Sequence, residues 1–247
     1  LINEGYPSYT TSAGWLGYPD EKLRNLCIEA IKAGFTHVKF KVGRDLQDDI
    51  RRLNIAREAL GNQVQLMIDA NQVWEVNQAI EWVNKLQFAS PFFIEEPTSP
   101  DDVSGHKTIK NGVFPIKVAT GEMCQNRIIF KQFIKEDAID IIQIDSCRMG
   151  GLNEVLAVMI MAEKYKKPVW PHAGGVGLCE YVQHISMIDY LLISCEKNSK
   201  RIEYVDHLHE HFLHPCKIMN GNYMAPFDPG FSIEMKSSTL NDYLFKS

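Results

Sequence analysis

The sequence has no apolar run long enough to cross a bilayer: its longest apolar stretches, residues 155–162 and 188–194, fall far short of the ~20 residues a spanning helix needs. No membrane segment is expected. It also has no basic surplus, since 26 Lys and Arg face 31 Asp and Glu for a net charge of −5, and the cations are spread along the chain. A nucleic-acid partner, which would need a basic footprint, is thereby disfavoured. The six cysteines (Cys27, Cys124, Cys147, Cys179, Cys195, Cys216) form no Cys-x-x-Cys pair and no dense framework. Reduced thiols in an intracellular compartment are the expected state. Residue 1 is not a methionine, and neither a charged leader nor an apolar signal core follows it, so any targeting segment is expected upstream.

What is present is ordinary globular composition, with 45% apolar and 23% charged residues in 247, a length that suits a single α/β barrel. Short β-branched or aromatic runs at residues 8–12, 37–41, 64–69, 92–95, 116–120, 139–145, 168–172 and 191–194 read as eight strands. Helical spacing of apolar residues fills the intervals. Residues 20–33 open with Pro19-Asp20-Glu21, which offers a capping acid, and stop at Gly34; residues 45–60 stop at Gly61, and residues 151–165 repeat the pattern. Intervals of roughly 25 to 30 residues suit βαβ units. Apolar strands between helices suit a parallel sheet covered by helices. Eight such units predict a closed TIM-type (β/α)8 barrel over residues 1–219. Residues 220–247, rich in Gly, Pro and Ser, read as a less regular segment reaching toward another domain.

A buried parallel strand has no reason of its own to end in a charge, yet nearly every predicted strand here does. Lys39 and Lys41, Asp69, Glu95, Glu122, Asp145 and His172 all fall at or just after strand ends, on the rim where barrel enzymes carry their sites. Asp69, Glu95 and Glu122 come from consecutive strands. Three carboxylates on one arc require a cation, and hard oxygen ligands without Cys or His favour magnesium. Asp145 and His172, on adjacent strands, suit an orienting carboxylate and an imidazole; Lys39 and Lys41 share a face because they are two residues apart. This is a site for removing a proton next to a carboxylate, with Lys41 as base, His172 as acid and magnesium stabilising the enediolate. Loss of a β-hydroxyl would then give a 2-keto-3-deoxy acid.

Each residue alone has a plainer explanation: a strand-end lysine is by default a solvated charge, a carboxylate there caps the next helix, and a single histidine is a satisfied rim residue. The joint pattern is what resists that explanation. Two other features carry less. The tract His207-Leu208-His209-Glu210-His211 with His214 resembles a His-rich metal motif but has no cysteine support in the sequence. Gly174-Gly175-Val176-Gly177 lacks the spacing of a dinucleotide fingerprint and reads as a flexible loop beside the acid.

The ordered motifs Lys39-Phe40-Lys41, Asp69-Ala70-Asn71, Ile94-Glu95-Glu96-Pro97, Ala119-Thr120-Gly121-Glu122, Ile144-Asp145 and Pro171-His172 resemble the mandelate-racemase subgroup of the enolase superfamily. Within it, residues 143–148, 171–178 and 203–212 resemble the L-fuconate dehydratases, a family with a mitochondrial form in animals. The resemblance implies a modified (β/α)7β barrel, with Mg2+ at Asp69, Glu95 and Glu122. It further implies that Lys41 takes the C2 proton, that His172 with Asp145 assists loss of the C3 hydroxyl, and that Lys39, Asn71 and Glu203 touch substrate. Family members carry an N-terminal α+β capping domain that residues 1–247 do not include, and residues 220–247 are expected to help complete it. The expected partner is a small acid sugar, with homo-oligomerisation left open. The alternatives are another hydroxy-acid dehydratase or epimerase of the same superfamily, or a non-catalytic capless fragment that acts by binding.

Overall fold

A computed structural model describes residues 1–245. Six parallel strands lie side by side in chain order: β1 (Tyr6–Gly14), β2 (His37–Lys41), β3 (Gln65–Asp69), β4 (Phe93–Glu95), β5 (Lys117–Thr120) and β6 (Ile141–Ile142). The ring is completed by two further segments. Residues 168–172 run beside β6 through an Ile142–Val169 bridge, with Trp170 N donating to Ile142 O at 2.8 Å and His172 N to Ile144 O at 2.9 Å. Glu203 N then donates to Pro171 O at 3.3 Å, and β7 (Ile202–Tyr204) pairs parallel with β1 through Ser8, Tyr9 and Thr10. The predicted eight-segment barrel is therefore closed, although its last members are short.

One predicted strand is wrong. Residues 191–194 belong to a π-helical turn, Asp189–Ser194, that continues helix α7 (Leu178–Ile188), and the eighth barrel member is Ile202–Tyr204. The apolar run Leu191-Leu192 that suggested a buried strand lies on the surface, at 60% and 77% exposure. Asp189 supplies the burial instead, paired with Lys200 at 2.5 Å.

The helices form where local chemistry starts and stops them. Asp45 caps α2 (Leu46–Leu60) by accepting from Asp48 N at 2.8 Å, and Gly61 ends the helix with φ +67°. For α1 (Asp20–Lys32) the expected acid cap is not made: Pro19 holds the cap position and Asp20 pairs with Arg51 of α2. Asp20 and Glu21 still place negative charge at the positive end of the helix dipole. Helices α3 (Val76–Lys85), α4 (Val103–Gly112), α5 (Arg127–Lys135) and α6 (Leu152–Lys164) follow β3 to β6 in turn.

Strand alternation sorts side chains into two compartments. Val38, Phe40, Leu66, Ile68, Ile94 and Val118 point out into the helix-covered core with Leu23, Cys27 and Leu53. Inside the barrel Tyr9, Met67, Phe93, Ala119, Ile141 and Trp170 fill an apolar floor. On β2 the inward residues are His37, against the Phe92 and Trp170 rings of that floor, then Lys39, then Lys41. The barrel interior thus changes from apolar to ionic along one strand.

A hairpin of β8 (Ile218–Met219) and β9 (Asn222–Tyr223) pairs antiparallel with the start of β1. The boundary drawn after residue 219 falls inside this hairpin, so residues 220–223 are bound to the barrel. A short helix, α8 (Ser237–Asp242), follows. Among the described residues no helix is long and apolar enough to cross a membrane.

Candidate active site

The ionisable residues predicted at strand ends meet at the carboxyl-terminal mouth of the barrel, and adjacent strands set their spacing. Lys41 is level with Asp69 and Asp69 with Glu95 in the sheet register. Lys41 Nζ donates to Asp69 Oδ2 at 2.5 Å, while Lys39, fully buried, donates to both Glu95 oxygens at 2.6 and 2.7 Å. Lys39 Nζ also lies 3.4 Å from Asp69 and 3.0 Å from Glu203. One ammonium therefore serves three buried carboxylates.

On the other side of the mouth His172 Nδ1 lies 2.7 Å from Asp145 Oδ2, and its Nε2 faces Glu122 at 3.4 Å and Glu203 at 3.8 Å. Asp145 is fixed by Cys147 N and Arg148 N, at 2.7 and 2.9 Å. Burial opposes charge on His172, but the Asp145 hydrogen bond and the nearby Glu203 and Glu122 outweigh it and raise the imidazole to about 9. Glu203, placed by sequence just after strand eight, is in fact within β7. It accepts from Thr11 Oγ1 at 2.5 Å and from Ala173 N at 2.9 Å. Although burial disfavours its charge, Lys39 and His172 hold its carboxyl well below the usual range.

Burial pushes the Lys41 ammonium down, but Asp69 outweighs that and raises it. The Asn71 side chain is exposed, and its backbone N donates to Asp69 Oδ1 at 2.9 Å.

The carboxylates Asp69, Glu95 and Glu122 offer the hard oxygen donors that a magnesium ion takes, but here they do not converge. Among the described residues the group of potential ligand atoms lying within 4.8 Å of one another is a different one, Glu180, His209 and Cys216. Lys39 and Lys41 are instead paired with Asp69 and Glu95. The charge balance nevertheless favours a cation. Burial, then the neighbouring Asp69, pushes the Glu95 carboxyl well above its ordinary value despite Lys39, and the buried Glu122 Oε2 has no hydrogen-bond partner. Surplus carboxylate charge with an unpartnered oxygen is what a divalent cation relieves, so the donor set fits one.

Sequence reasoning assigned no role to several residues that the fold brings here. Gln143 Nε2 donates to Glu95 Oε2 at 2.6 Å, and Thr11 holds Glu203. Glu96, fully buried, accepts from Gln72 at 2.7 Å, and its other oxygen has no partner; burial, then Glu122 and Asp69, raises its carboxyl to about 7. Glu96, Asn71 and Gln72 all have left-handed φ values of 44°, 45° and 68°, an unfavourable conformation for side-chain-bearing residues that clusters at functional sites. Gly121, with φ +140°, is required where the chain leaves β5: a Cβ there would lie 2.6 Å from Gln143 O. That turn delivers Glu122. A cavity of about 640 Å³ lined by Leu1, Met187, Leu191, Pro226 and Phe231 lies outside the barrel, and none of the mouth residues lines it.

The enolase C-terminal domain-like family matches residues 22–239. The human mitochondrial enolase superfamily member 1 is 52% identical over 247 residues, covering 99% of this chain and 56% of that protein. Its crystal structure superposes with a TM-score of 0.94 at 53% identity, over 96% of this chain and 54% of that one. The L-galactonate dehydratase of Hypocrea jecorina is 55% identical over 247 residues, covering 98% of this chain and 54% of that protein. The crystal structure of L-talarate/galactarate dehydratase from Salmonella typhimurium, liganded with Mg and L-lyxarohydroxamate, has a TM-score of 0.85 at 28% identity, over 97% of this chain and 58% of that one. The chain spans about half the length of the curated relatives it matches.

Proposed function

This chain belongs to the enolase C-terminal domain-like family, and on that premise we propose that it carries the catalytic residues of a magnesium-dependent acid-sugar dehydratase acting on L-fuconate. The supporting observation is the unbroken chain of ionic contacts Lys41–Asp69–Lys39–Glu203–His172–Asp145 across the barrel mouth, with steps of 2.5, 3.4, 3.0, 3.8 and 2.7 Å. It sets a primary amine and an imidazole on the two sides of one carboxylate-lined space. A base and an acid are the two groups that a dehydration needs.

Asp69, Glu95 and Glu122 would hold magnesium, which when bound would supply stabilisation for the negative charge that grows on the substrate carboxylate as the C2 proton leaves. Lys41 takes that proton. In the present geometry Asp69 keeps Lys41 protonated, so Lys41 becomes a base only when Asp69 is engaged elsewhere and the neighbouring Lys39 disfavours a second ammonium. Asp145 fixes Nδ1 of His172 and leaves Nε2 to deliver a proton to the departing C3 hydroxyl. The C2–H and C3–O bonds break, water leaves, and the enol tautomerises to the 2-keto-3-deoxy acid. Lys39 and Glu203 hold substrate hydroxyls, and Asn71 borders the entrance.

A second substrate has a specific observation in its favour. The relative at 55% identity is an L-galactonate dehydratase, and L-galactonate differs from L-fuconate only in bearing a C6 hydroxyl in place of hydrogen. The name of the human relative motivates mitochondrial residence, which imaging of the tagged full-length protein checks. The deciding experiment incubates each acid with the protein and magnesium and assays the products. A 2-keto-3-deoxy acid from L-fuconate at higher kcat/KM than from L-galactonate supports the reading. Preference for L-galactonate corrects the substrate; a C2 epimer without keto acid refutes dehydration.

A further inference from the structure

The histidine-rich tract at residues 207–214 lacks cysteine support in the sequence, but the fold provides it. His209 turns inward toward Glu180, in the first turn of α7, and toward Cys216; Nδ1 lies 2.6 Å from Glu180 Oε1 and 3.7 Å from Cys216 Sγ. His211 and His214 instead meet Thr239 and Asp228. We propose that Glu180, His209 and Cys216 form a three-ligand binding site for a zinc-class divalent cation.

Three observations carry the assignment beyond an ordinary ion pair. First, the ligand atoms of Glu180, His209 and Cys216 all lie within 4.8 Å of one another. Ideal zinc–nitrogen and zinc–sulfur bonds of about 2.1 and 2.3 Å place tetrahedral N and S about 3.6 Å apart, close to the 3.7 Å found. The His209–Glu180 contact is shorter, as when a proton occupies the place of the ion, and opens by less than ~1 Å on exchange. Second, Glu180 is fully buried and its Oε2 has no hydrogen-bond partner. A proton shared with His209 satisfies Oε1 alone, whereas a cation neutralises the whole carboxylate. Third, the imidazole is already held as a metal-binding imidazole is held. Its Nε2 lies 2.9 Å from Val205 O, which fixes Nε2 as the protonated nitrogen and leaves Nδ1 to the ligand set; Tyr204 stacks on the ring at 5.4 Å with 6° between planes.

The mixed sulfur, nitrogen and oxygen donors select zinc over magnesium, so this site and the all-oxygen mouth would not compete for one ion. Its place in the fold gives it a structural role. Cys179 Sγ donates to Ala173 O at 3.7 Å, and Ala173 N donates to Glu203 Oε2 at 2.9 Å. An ion here ties the start of α7, just after the His172 loop, to the segment following β7.

The test uses cobalt as a spectroscopic substitute, added to the chelator-stripped chain under a non-thiol reductant with excess magnesium filling the mouth. The expected result is one cobalt per chain with a sulfur-to-cobalt charge-transfer band, displaced by zinc. Cys216→Ser should abolish the band, His209→Gln should weaken binding at least about tenfold, and Asp69→Asn should leave both unchanged. A reduced wild-type chain without the band overturns the proposal, as does a band that survives Cys216→Ser at full strength.

Discussion

Replacing Arg52 with Met tests whether the adjoining ends of β1 and β2 rest on a buried cation. Arg52 lies on α2, is 1% exposed, and donates to Lys41 O at 2.6 Å, Gly14 O at 2.9 Å and Trp15 O at 3.1 Å. It is also 3.6 Å from the buried Asp49. Methionine fills most of the volume but leaves three carbonyls without their donor and the Asp49 carboxylate without its ion-pair partner. Removing one partner of a buried ionic pair costs about 3–5 kcal/mol, and with an m-value of about 3 kcal/mol/M the urea midpoint should fall by roughly 1–2 M. The pH dependence makes the reasoning sharper. Burial raises the Asp49 carboxyl to about 6 even though Gly43 N and Arg52 pull it down, so the folded state binds a proton that the unfolded state has released. Its contribution therefore favours the fold at low pH and is lost as pH rises from about 4 through about 6. Without Arg52 that loss extends to higher pH, so the variant's deficit should be larger at pH 8 than at pH 5. Urea unfolding followed by far-ultraviolet circular dichroism at the two pH values reads both effects. An unchanged midpoint, or a deficit larger at pH 5, refutes the argument.

Magnesium at one hundred times its dissociation constant should stabilise the chain by about 2.7 kcal/mol, raising the thermal midpoint by roughly 5–10 °C over a chelator-treated sample, and Glu95→Gln should shrink that rise. Equal midpoints with ion and chelator, measured by calorimetry, would remove the metal assignment. Lys41→Ala should abolish both C2-proton exchange and dehydration of L-fuconate in deuterated water, because every later step needs the C2 carbanion. His172→Asn should stop dehydration while some exchange persists. Proton NMR separates these outcomes, and loss of exchange in His172→Asn with retention in Lys41→Ala would reverse base and acid.

Much of the barrel was legible because apolar strands that end in charge are locally anomalous. Lys39 and Lys41 two residues apart, or Asp69 at the end of an apolar run, declare themselves without a structure. The eighth barrel strand did not, for a physical reason. Ile202–Tyr204 is three residues long, follows Lys200 and Arg201, and gains its strand character from β1 rather than from its own pattern. Leu191-Leu192 imitates a strand because a short apolar run looks the same on a surface turn as in a sheet. Gln143 and Thr11 were unreadable since they act on partners 48 and 192 residues away, and two of the three carbonyls that Arg52 holds lie 37 and 38 residues from it. A separation of 29 residues likewise hid Glu180 from His209. The lysine–carboxylate pairing was hidden too, because which charge neutralises which depends on packing and not on order.

The pairing of β1 with β7 also has a consequence in time. Of the strands in this barrel β1 is synthesised first, but its partner on one side comes from residues 202–204 and its antiparallel neighbour from residues 222–223. At ~5–20 residues per second, about 10–40 s separate the synthesis of β1 from that of β7. Throughout that interval the nascent sheet can grow from β1 to β6 but keeps an open edge, and an open edge recruits other chains. The barrel therefore needs residues 202–223 to finish β1, and a chain interrupted before residue 202 should accumulate as aggregate instead of as a smaller stable barrel.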